Sequence, residues 1–552
     1  MTTADPIAGA VEDAAALPGF VARLARAYLW LASKLMLACA VVFFLAVGLR
    51  VALLPWLHVP KPAVHDEFSY LLAADTYASG RLANPPHRFW EHFETFHVLQ
   101  QPTYASKYQP MQGLVLAFGQ KVFGEPWVGV LLSAALMCAA VCWMLQGWIS
   151  PGAALLGGLL ATLRVGVLTY WVNSYWGGAV PALAIALAIG AIPRIARRRQ
   201  FLHSVTFAIG LAMLMNSRPY ESAVLAVFGV AALAWWLRKE GVPAGVVLRR
   251  VALPAMVVLA VTAGAMAYNN YRVTGNALSL PYQVHDRQYD MVSMFAWGKM
   301  RPEPVYHHAV MRKFWAGWHV DQVKTAQGAM MEVFLLKTWG VYDFFFGLWP
   351  LLVPPLIWPY RLKSTEERLT MFLLIVFVLA LVPLTGFAPH YGAAFACLAY
   401  LRFLQTLTRL RGWQPAGKPL GFAVAVFFVV LIPYQFGDEL VRVFRNGEFV
   451  PKFAIMRDSV LAKLDREPGR HLVLVRYSAD HYVHDEWVYN RADIDASRIV
   501  WAREMTPEQD RPFVEYFQGR KIWLLEADQS PPRLVPYAEA VPVGSPQGGR
   551  SQ

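Results

Sequence analysis

Leu35–Leu49 reads LMLACAVVFFLAVGL, fifteen residues without a charge. Crossing a ~30 Å hydrocarbon layer takes about 20 mostly apolar residues per helix, so this block with its flanks makes one span. Blocks of the same kind recur at Val128–Met144, Ala179–Ile192, Val251–Ala267, Met371–Leu384 and Phe422–Ile432. Of 552 residues, 56% are hydrophobic and 16% charged, against about 25% charged in soluble domains. A soluble core would not repeat such blocks so often. The pattern predicts an all-α polytopic membrane protein.

The formal charge of +13 does not mark a nucleic-acid partner. Many of the basic residues sit in short clusters between apolar blocks, where they orient helices. Cys39, Cys138, Cys142 and Cys397 lie inside apolar blocks without metal-ligand spacing, as small buried hydrophobes do. The first apolar run follows Arg23, Arg26 and Lys34 and has no small-residue cleavage site, which predicts no cleavable signal.

The positive-inside rule then sets the threading. With residues 1–29 cytoplasmic and a first span near 30–54 running outward, later spans are expected near 126–147, 151–171, 178–195, 201–219, 221–238, 251–270, 340–358, 369–387, 391–408 and 418–436. Arg194, Arg197–Arg199, Arg238, Lys239, Arg249, Arg250, Arg361, Lys363, Arg368, Arg402, Arg409, Arg411 and Lys418 all fall inside. Eleven spans satisfy the rule. Counting Met111–Phe123 as a further span would put every later cluster outside, so that segment is read as interfacial or half-inserted.

The membrane domain is therefore expected over 30–437, with external loops at 55–125 and 271–339. From about 438 to 552 charges return, and β-type runs appear at His471–Tyr477, Arg498–Ala502 and Lys521–Leu525. This is the pattern of a small α/β domain, placed in the periplasm of a bacterial inner-membrane protein. The Pro/Gly-rich tail after Ser530 reads as frayed.

The stretch His65-Asp66-Glu67-Phe68-Ser69-Tyr70 follows the first span. Leu71–Ala74 come directly after it, so the two acids open a juxtamembrane helix. Downstream stand Asp75-Thr76-Tyr77, Gly80-Arg81-Leu82 and Lys107-Tyr108-Gln109-Pro110-Met111. At these residues the chain resembles the GT-C glycosyltransferases, in the branch of protein mannosyltransferases and lipid A aminoarabinose transferases. Those enzymes carry an early Asp or Asp-Glu, a Tyr/Gly-patterned helix and a Lys/His-x-Pro-Pro-like segment. Gln109 stands here where a second proline is common.

The resemblance implies inverting transfer of a sugar from a polyprenyl-phosphate donor to a glycan, lipid or protein acceptor. It implies Asp66 as the base that takes the acceptor's proton, with Glu67 supporting it, or else only solvating the helix start. Lys107 would lie on the carrier phosphate, or snorkel to headgroups. Tyr70 and Tyr108, from the same motif, are expected at the substrate. The sugar, the acceptor and dependence on a divalent cation stay open; no cofactor is implied.

Other candidates come from the residues themselves. Arg218, closing one span and opening the next, suits a donor phosphate, oriented by Tyr220 or Glu221. An Arg218–Glu221 ion pair is the structural alternative. Asn173 and Tyr175, in Asn173-Ser174-Tyr175-Trp176-Gly177-Gly178, suit sugar hydroxyls and faces, and an aromatic-belt turn is the alternative. His390 and Tyr391 start the tenth span on the same outer side. His87, His92 and His97 recur every five residues, off a common helical face, so no zinc site is predicted. His481, His484 and Asp485 read as a surface loop, and His307-His308 as no site. Nucleotide-binding glycine loops are absent from the sequence. A flippase for a lipid-linked substrate and a non-catalytic envelope assembly protein are the rival functions.

Overall fold

The apolar blocks all fall in or overlap helices. The computed structural model describes residues 19–347, 362, 364–386, 388–447 and 450–540. α1 (Gly19–Ser33) leads into α2 (Leu35–Ala52), so a break at Lys34 divides the start of the first expected span. Then come helix α3 (His65–Ala78), the two short strands β1 (Val98–Leu99) and β2 (Ala105–Ser106), and α4 (Pro110–Phe123). The chain continues through α5 (Pro126–Trp148), α6 (Pro151–Val165), α7 (Ala179–Arg198), α8 (Phe201–Met215), α9 (Pro219–Lys239) and α10 (Ala244–Thr274). A second external stretch holds α11 (Pro281–Tyr289) and α12 (Val320–Gly328). α13 (Met330–Phe346), α14 (Thr365–Leu379), α15 (Ala393–Arg411) and α16 (Leu420–Asn446) follow.

Among the described residues six helices, α2, α5, α7, α9, α10 and α16, are long and apolar enough to cross a membrane. The chain is a membrane protein. The spans expected at 151–171, 201–219, 369–387 and 391–408 overlap α6, α8, α14 and α15, and α13 reaches only the start of the one expected at 340–358. Much of the span expected at 340–358, together with Arg361 and Lys363, lies outside the described residues. α7 is the centre of the bundle: 94% of its apolar stretch is buried, packed on α5 and α8. Only 6% of the α10 stretch is buried. A helix apolar all round with its surface uncovered is one solvated by lipid.

Met111–Phe123 is helix α4. Pro110 occupies its first turn, where a missing N–H costs nothing. It packs on α3 and α5. A Cβ on Gly129 would stand 2.1 Å from the Val115 carbonyl oxygen, and one on Gly119 2.5 Å from the Gly129 nitrogen. Only glycine permits this crossing.

The C-terminal part contains α17 (Lys452–Arg466), β3 (His471–Arg476), β4 (Ile499–Arg503), α18 (Pro507–Tyr516), β5 (Lys521–Glu526) and β6 (Arg533–Pro536). The sheet order is β4-β3-β5-β6, with β3 parallel to both neighbours and β6 antiparallel to β5. The three expected strands appear within a residue of their anticipated ends. The segment after Ser530 is a correction: Arg533–Pro536 is an edge strand, with Leu534 opposite Leu525 and Val535 opposite Leu524. Pro536 is tolerated because it ends that edge. Residues 541–552 lie outside the described residues.

This sheet does not close its own core. Phe68, Leu72, Phe93, Val98 and Tyr104 of the first external stretch share one apolar cluster with Phe453, Leu474, Trp487 and Trp501. Polar ties fix the register. His92 meets Asp510 at 3.2 Å, Tyr104 donates to the Asn490 carbonyl at 3.0 Å, and Arg503 Nε donates to the Glu94 carbonyl at 2.7 Å. Lys61 pairs with Asp458. Asp75 accepts from Arg491 and the Ala492 N–H, both at 2.8 Å, and from Gln120 at 3.0 Å.

Burial works against ionising Asp75, but these donors outweigh it and hold its carboxyl below the usual range. A depressed folded-state value adds stability that is present above the unfolded value near ~3.9 and lost as pH falls through the folded value. Asp75→Asn turns an amide group against a donor and should cost about 1–2 kcal/mol at pH 7, with little of it from the exposed Arg491 arm. Thermal unfolding of both proteins should show the gap closing as pH falls through the depressed folded-state value. A gap of equal size at both pH values would mean that the carboxylate charge is not what holds this joint.

Candidate active site

α3 begins after Pro62, and its first turn carries Asp66 and Glu67, acids that suit the positive end of a helix. Glu67 is 3% exposed. Its Oε2 accepts from the N–H groups of Ala63 (2.8 Å) and Val64 (3.0 Å), and its Oε1 accepts from the Tyr175 N–H (3.0 Å). Burial raises the Glu67 carboxyl above its ordinary range, against the pull of those three N–H groups. The carboxylate is thus occupied in joining the α3 entry to the turn between α6 and α7.

Asp66 faces the other way, with 23% of its side chain exposed. The Tyr108 hydroxyl donates to its Oδ1, and Oδ2 lies 3.9 Å from His97 Nε2. Tyr108 is placed by Ser106: its N–H donates to Ser106 Oγ at 3.2 Å, and Ser106 Oγ meets Ser69 Oγ of α3 at 2.7 Å. The Tyr108 ring stacks on Tyr70 at 4.5 Å. Tyr391 lies within electrostatic reach of both phenols, and the Arg218 guanidinium sits 4.2 Å above the Tyr391 ring. The Met111 N–H donates to the Asn216 carbonyl at 2.9 Å, which ties α4 to the Arg218 turn. Asp66, Tyr108, Tyr70, Tyr391 and Arg218 therefore form one continuous group.

Lys107 stands beside it, its Nζ 5.4 Å from the Tyr108 ring and 5.3 Å from the Trp315 ring. Both cations have aromatic neighbours and, among the described residues, neither forms a salt bridge with a carboxylate. The alternative Arg218–Glu221 pair is not formed, although Glu221 is among the charges that Arg218 senses. Two cations that form no salt bridge, beside a partly exposed carboxylate, can take an anionic leaving group while the carboxylate takes a proton.

Other expected contacts are used within the protein. Asn173 accepts from Arg50 Nε at 2.8 Å and donates to the carbonyls of Val167 (3.0 Å) and Thr169 (2.9 Å), which leaves its amide committed to the turn. Tyr175 is 5% exposed, and its hydroxyl reaches Glu125 at 3.5 Å. Tyr220 donates to the Ala380 carbonyl at 2.9 Å. His390 is buried; its N–H donates to the Tyr170 hydroxyl, whose own proton then faces His390 Nδ1 at 3.0 Å.

The loop 481–485 departs from expectation. His481 is 3% exposed and pairs with Asp528 at 2.6 Å, and His484 stacks on His65 at 5.5 Å, near Asp66. Residues 400 positions apart meet here because the first external stretch and the sheet share a core, a contact no local pattern announces. His307 and His308 fasten the second external stretch to Glu94 (2.9 Å) and the Glu91 carbonyl (2.7 Å). Among the described residues, no three His, Cys, Asp or Glu side chains are arranged to hold a metal ion.

No family model and no curated protein matches the chain. Among solved structures, the apo oligosaccharyltransferase of Archaeoglobus fulgidus is similar over 89% of this chain and 69% of its own, at 14% identity and a TM-score of 0.49. Apo ArnT from Cupriavidus metallidurans is similar over 89% of this chain and 91% of its own, at 12% identity and a TM-score of 0.47. ArnT with undecaprenyl phosphate bound is similar over 89% and 92%, at 12% identity and 0.46.

Glu67→Gln would place an amide N–H against a backbone N–H in a buried pocket. A loss of about 1–3 kcal/mol is expected, read as a lowered melting temperature of the detergent-purified protein. An unchanged melting temperature would show that the three contacts carry no net stability.

Proposed function

We propose that this chain is an inverting glycosyltransferase that moves a sugar from a polyprenyl-phosphate carrier to an acceptor at the outer face of a bacterial inner membrane. The observation that carries the reading is the pairing of a partly exposed Asp66 carboxylate with two cations, Lys107 and Arg218, that form no salt bridge among the described residues. Leaving two cations unneutralised near a membrane surface is costly unless an anionic ligand completes them.

In this reading Asp66 takes the proton of the acceptor as its oxygen or nitrogen attacks the anomeric carbon. The carbon–oxygen bond to the carrier phosphate breaks from the opposite face, and its electron pair stays on the phosphate. Lys107 and Arg218 hold that charge, so no general acid is needed. Tyr108 orients Asp66, Tyr70 and Tyr391 line the path to Arg218, and Glu67 positions the α3 entry without touching substrate. Glu221 tunes the field around Arg218. A lipid carrier explains why sugar transfer would be built on a bundle: the tail needs an apolar groove between helices.

The topology that goes with this function has eleven spans, a cytoplasmic N-terminus, a membrane domain over 30–437 and a periplasmic α/β domain over 438–552. A cavity of about 460 Å³ between Lys313, Arg476, His481 and Thr506 gives that domain room for the remote part of an acceptor.

Purified protein with radiolabelled undecaprenyl-phosphate-linked sugars and a membrane extract as acceptor source should transfer label. Asp66→Asn should lose transfer by at least ~100-fold, as expected for a general base, while still binding donor. Lys107→Ala and Arg218→Ala should each raise the donor KM by about tenfold or more, the worth of one charge-assisted contact. An Asp66→Asn protein as active as wild type would refute the mechanism. Movement of donor across vesicles without covalent transfer would favour the flippase.

A further inference from the structure

His97 is the residue at the site whose conformation has no local explanation. Its backbone is left-handed, with φ +62°, a region that favours glycine. Of the other two non-glycine residues in this conformation among those described, Arg199 ends α7 and Ala416 lies in a turn. Strained residues retained at a site point to function there.

Two contacts hold the strained peptide. The His97 carbonyl accepts from Ser69 Oγ at 2.6 Å and from the Lys107 N–H at 3.1 Å. One backbone group thereby links the helix that carries Asp66 to the residue offered to the donor phosphate. The imidazole, 12% exposed, points its Nε2 at Asp66 Oδ2 across 3.9 Å, while its Nδ1 is buried without a partner. Around the ring stand His65 (5.7 Å between centroids), His285 (6.3 Å), Trp315 (5.7 Å) and the charge of Lys107.

Burial first, then Lys107 and the neighbouring histidines, hold His97 well below the ordinary histidine range. The ring is neutral at physiological pH and carries one proton. With the Asp66 carboxylate ahead of Nε2 and no acceptor at Nδ1, the Nε2–H tautomer is the one that suits the site.

We propose that His97 is a positioning residue for proton abstraction: its Nε2, 3.9 Å from Oδ2 in the ligand-free site, closes to hydrogen-bond reach when substrate binds and, with the Tyr108 hydroxyl on Oδ1, fixes the Asp66 carboxylate at the angle the acceptor meets. This rests on the glycosyltransferase reading and goes beyond it. Neither the adjacency nor the left-handed turn is visible in the Asp-Glu motif.

The test is transfer by His97→Gly, His97→Ala and His97→Gln, with Asp66→Asn alongside, using radiolabelled undecaprenyl-phosphate-linked sugars. Glycine suits the φ, so His97→Gly keeps the turn and removes only the ring. Glutamine restores an N–H. The expected result is a kcat about 10- to 100-fold lower for Gly and Ala, in the range of a lost oriented donor. The donor KM should stay within about twofold, melting temperatures should match wild type, and Gln should recover part of kcat. A His97→Gly protein with wild-type kcat, beside an inactive Asp66→Asn, overturns this inference and leaves the transferase reading standing. An active Asp66→Asn overturns both.

Discussion

The Glu67 carboxylate is the interaction on which the site depends. Buried and accepting three backbone N–H groups, it fastens the entry of α3 to the turn between two membrane helices. Its neighbour Asp66 is aimed outward because Glu67 is held inward. Adjacent residues at a helix start lie about 100° apart, since the helix makes one turn in 3.6 residues, so one can serve the protein's interior and the next its surface. Without this joint, α3 would be positioned only by apolar packing, which is non-directional. The base role proposed for Asp66 would need more than that.

The same logic extends outward. The first external stretch is a layer between the bundle and the C-terminal sheet, with apolar contacts to both and polar ties to both. Phe68 stacks on Tyr489 of the sheet side at 4.4 Å, while Tyr70, two residues on, faces Tyr108. A sheet of four strands with part of its core supplied from elsewhere is not an independent module. Changes in that domain reach Asp66 through α3, and His484 lies close enough to sense its charge.

Much of the membrane architecture was legible because apolar length is a local property. The parallel strands β3, β4 and β5 were legible for a related reason: a strand covered on both faces reads as an unbroken apolar run, as in Leu472–Val475. β6 was hidden because its short Arg-Leu-Val-Pro run sits in a Pro/Gly-rich tail and gains order only by pairing with β5. At the site, Asp66, Lys107 and Arg218 were visible as charges beside apolar blocks. Asn173 was visible for the wrong reason: its partner Arg50 stands 123 residues earlier, and only the fold shows that its amide is already committed. His97 was set aside because a five-residue repeat fits no helix. It lies on no helix, and its place is set by a left-handed turn and by long-range contacts.

Arg50 shows how the bundle treats a cation it means to neutralise. Fully buried at the outer end of α2, it gives hydrogen bonds to Asn173 and to the carbonyls of Leu57 and His58, and lies 4.7 Å over Trp127. Each of its nitrogens meets an oxygen within the protein, as a buried charge requires. Lys107 and Arg218 are treated otherwise. Aromatic faces shield them from one side, which lowers the local dielectric and strengthens whatever charge meets them, but no carboxylate completes them. Carboxylates exist nearby: Glu67 is committed to backbone N–H groups, Asp286 to the neighbourhood of His285, and Asp66 to Tyr108. Glu221 and Asp286 act on Arg218 and Lys107 only through space, without a salt bridge. An anion held there by both cations would lie between elements of the external layer and of the bundle, so its binding would stiffen the contact that orients Asp66.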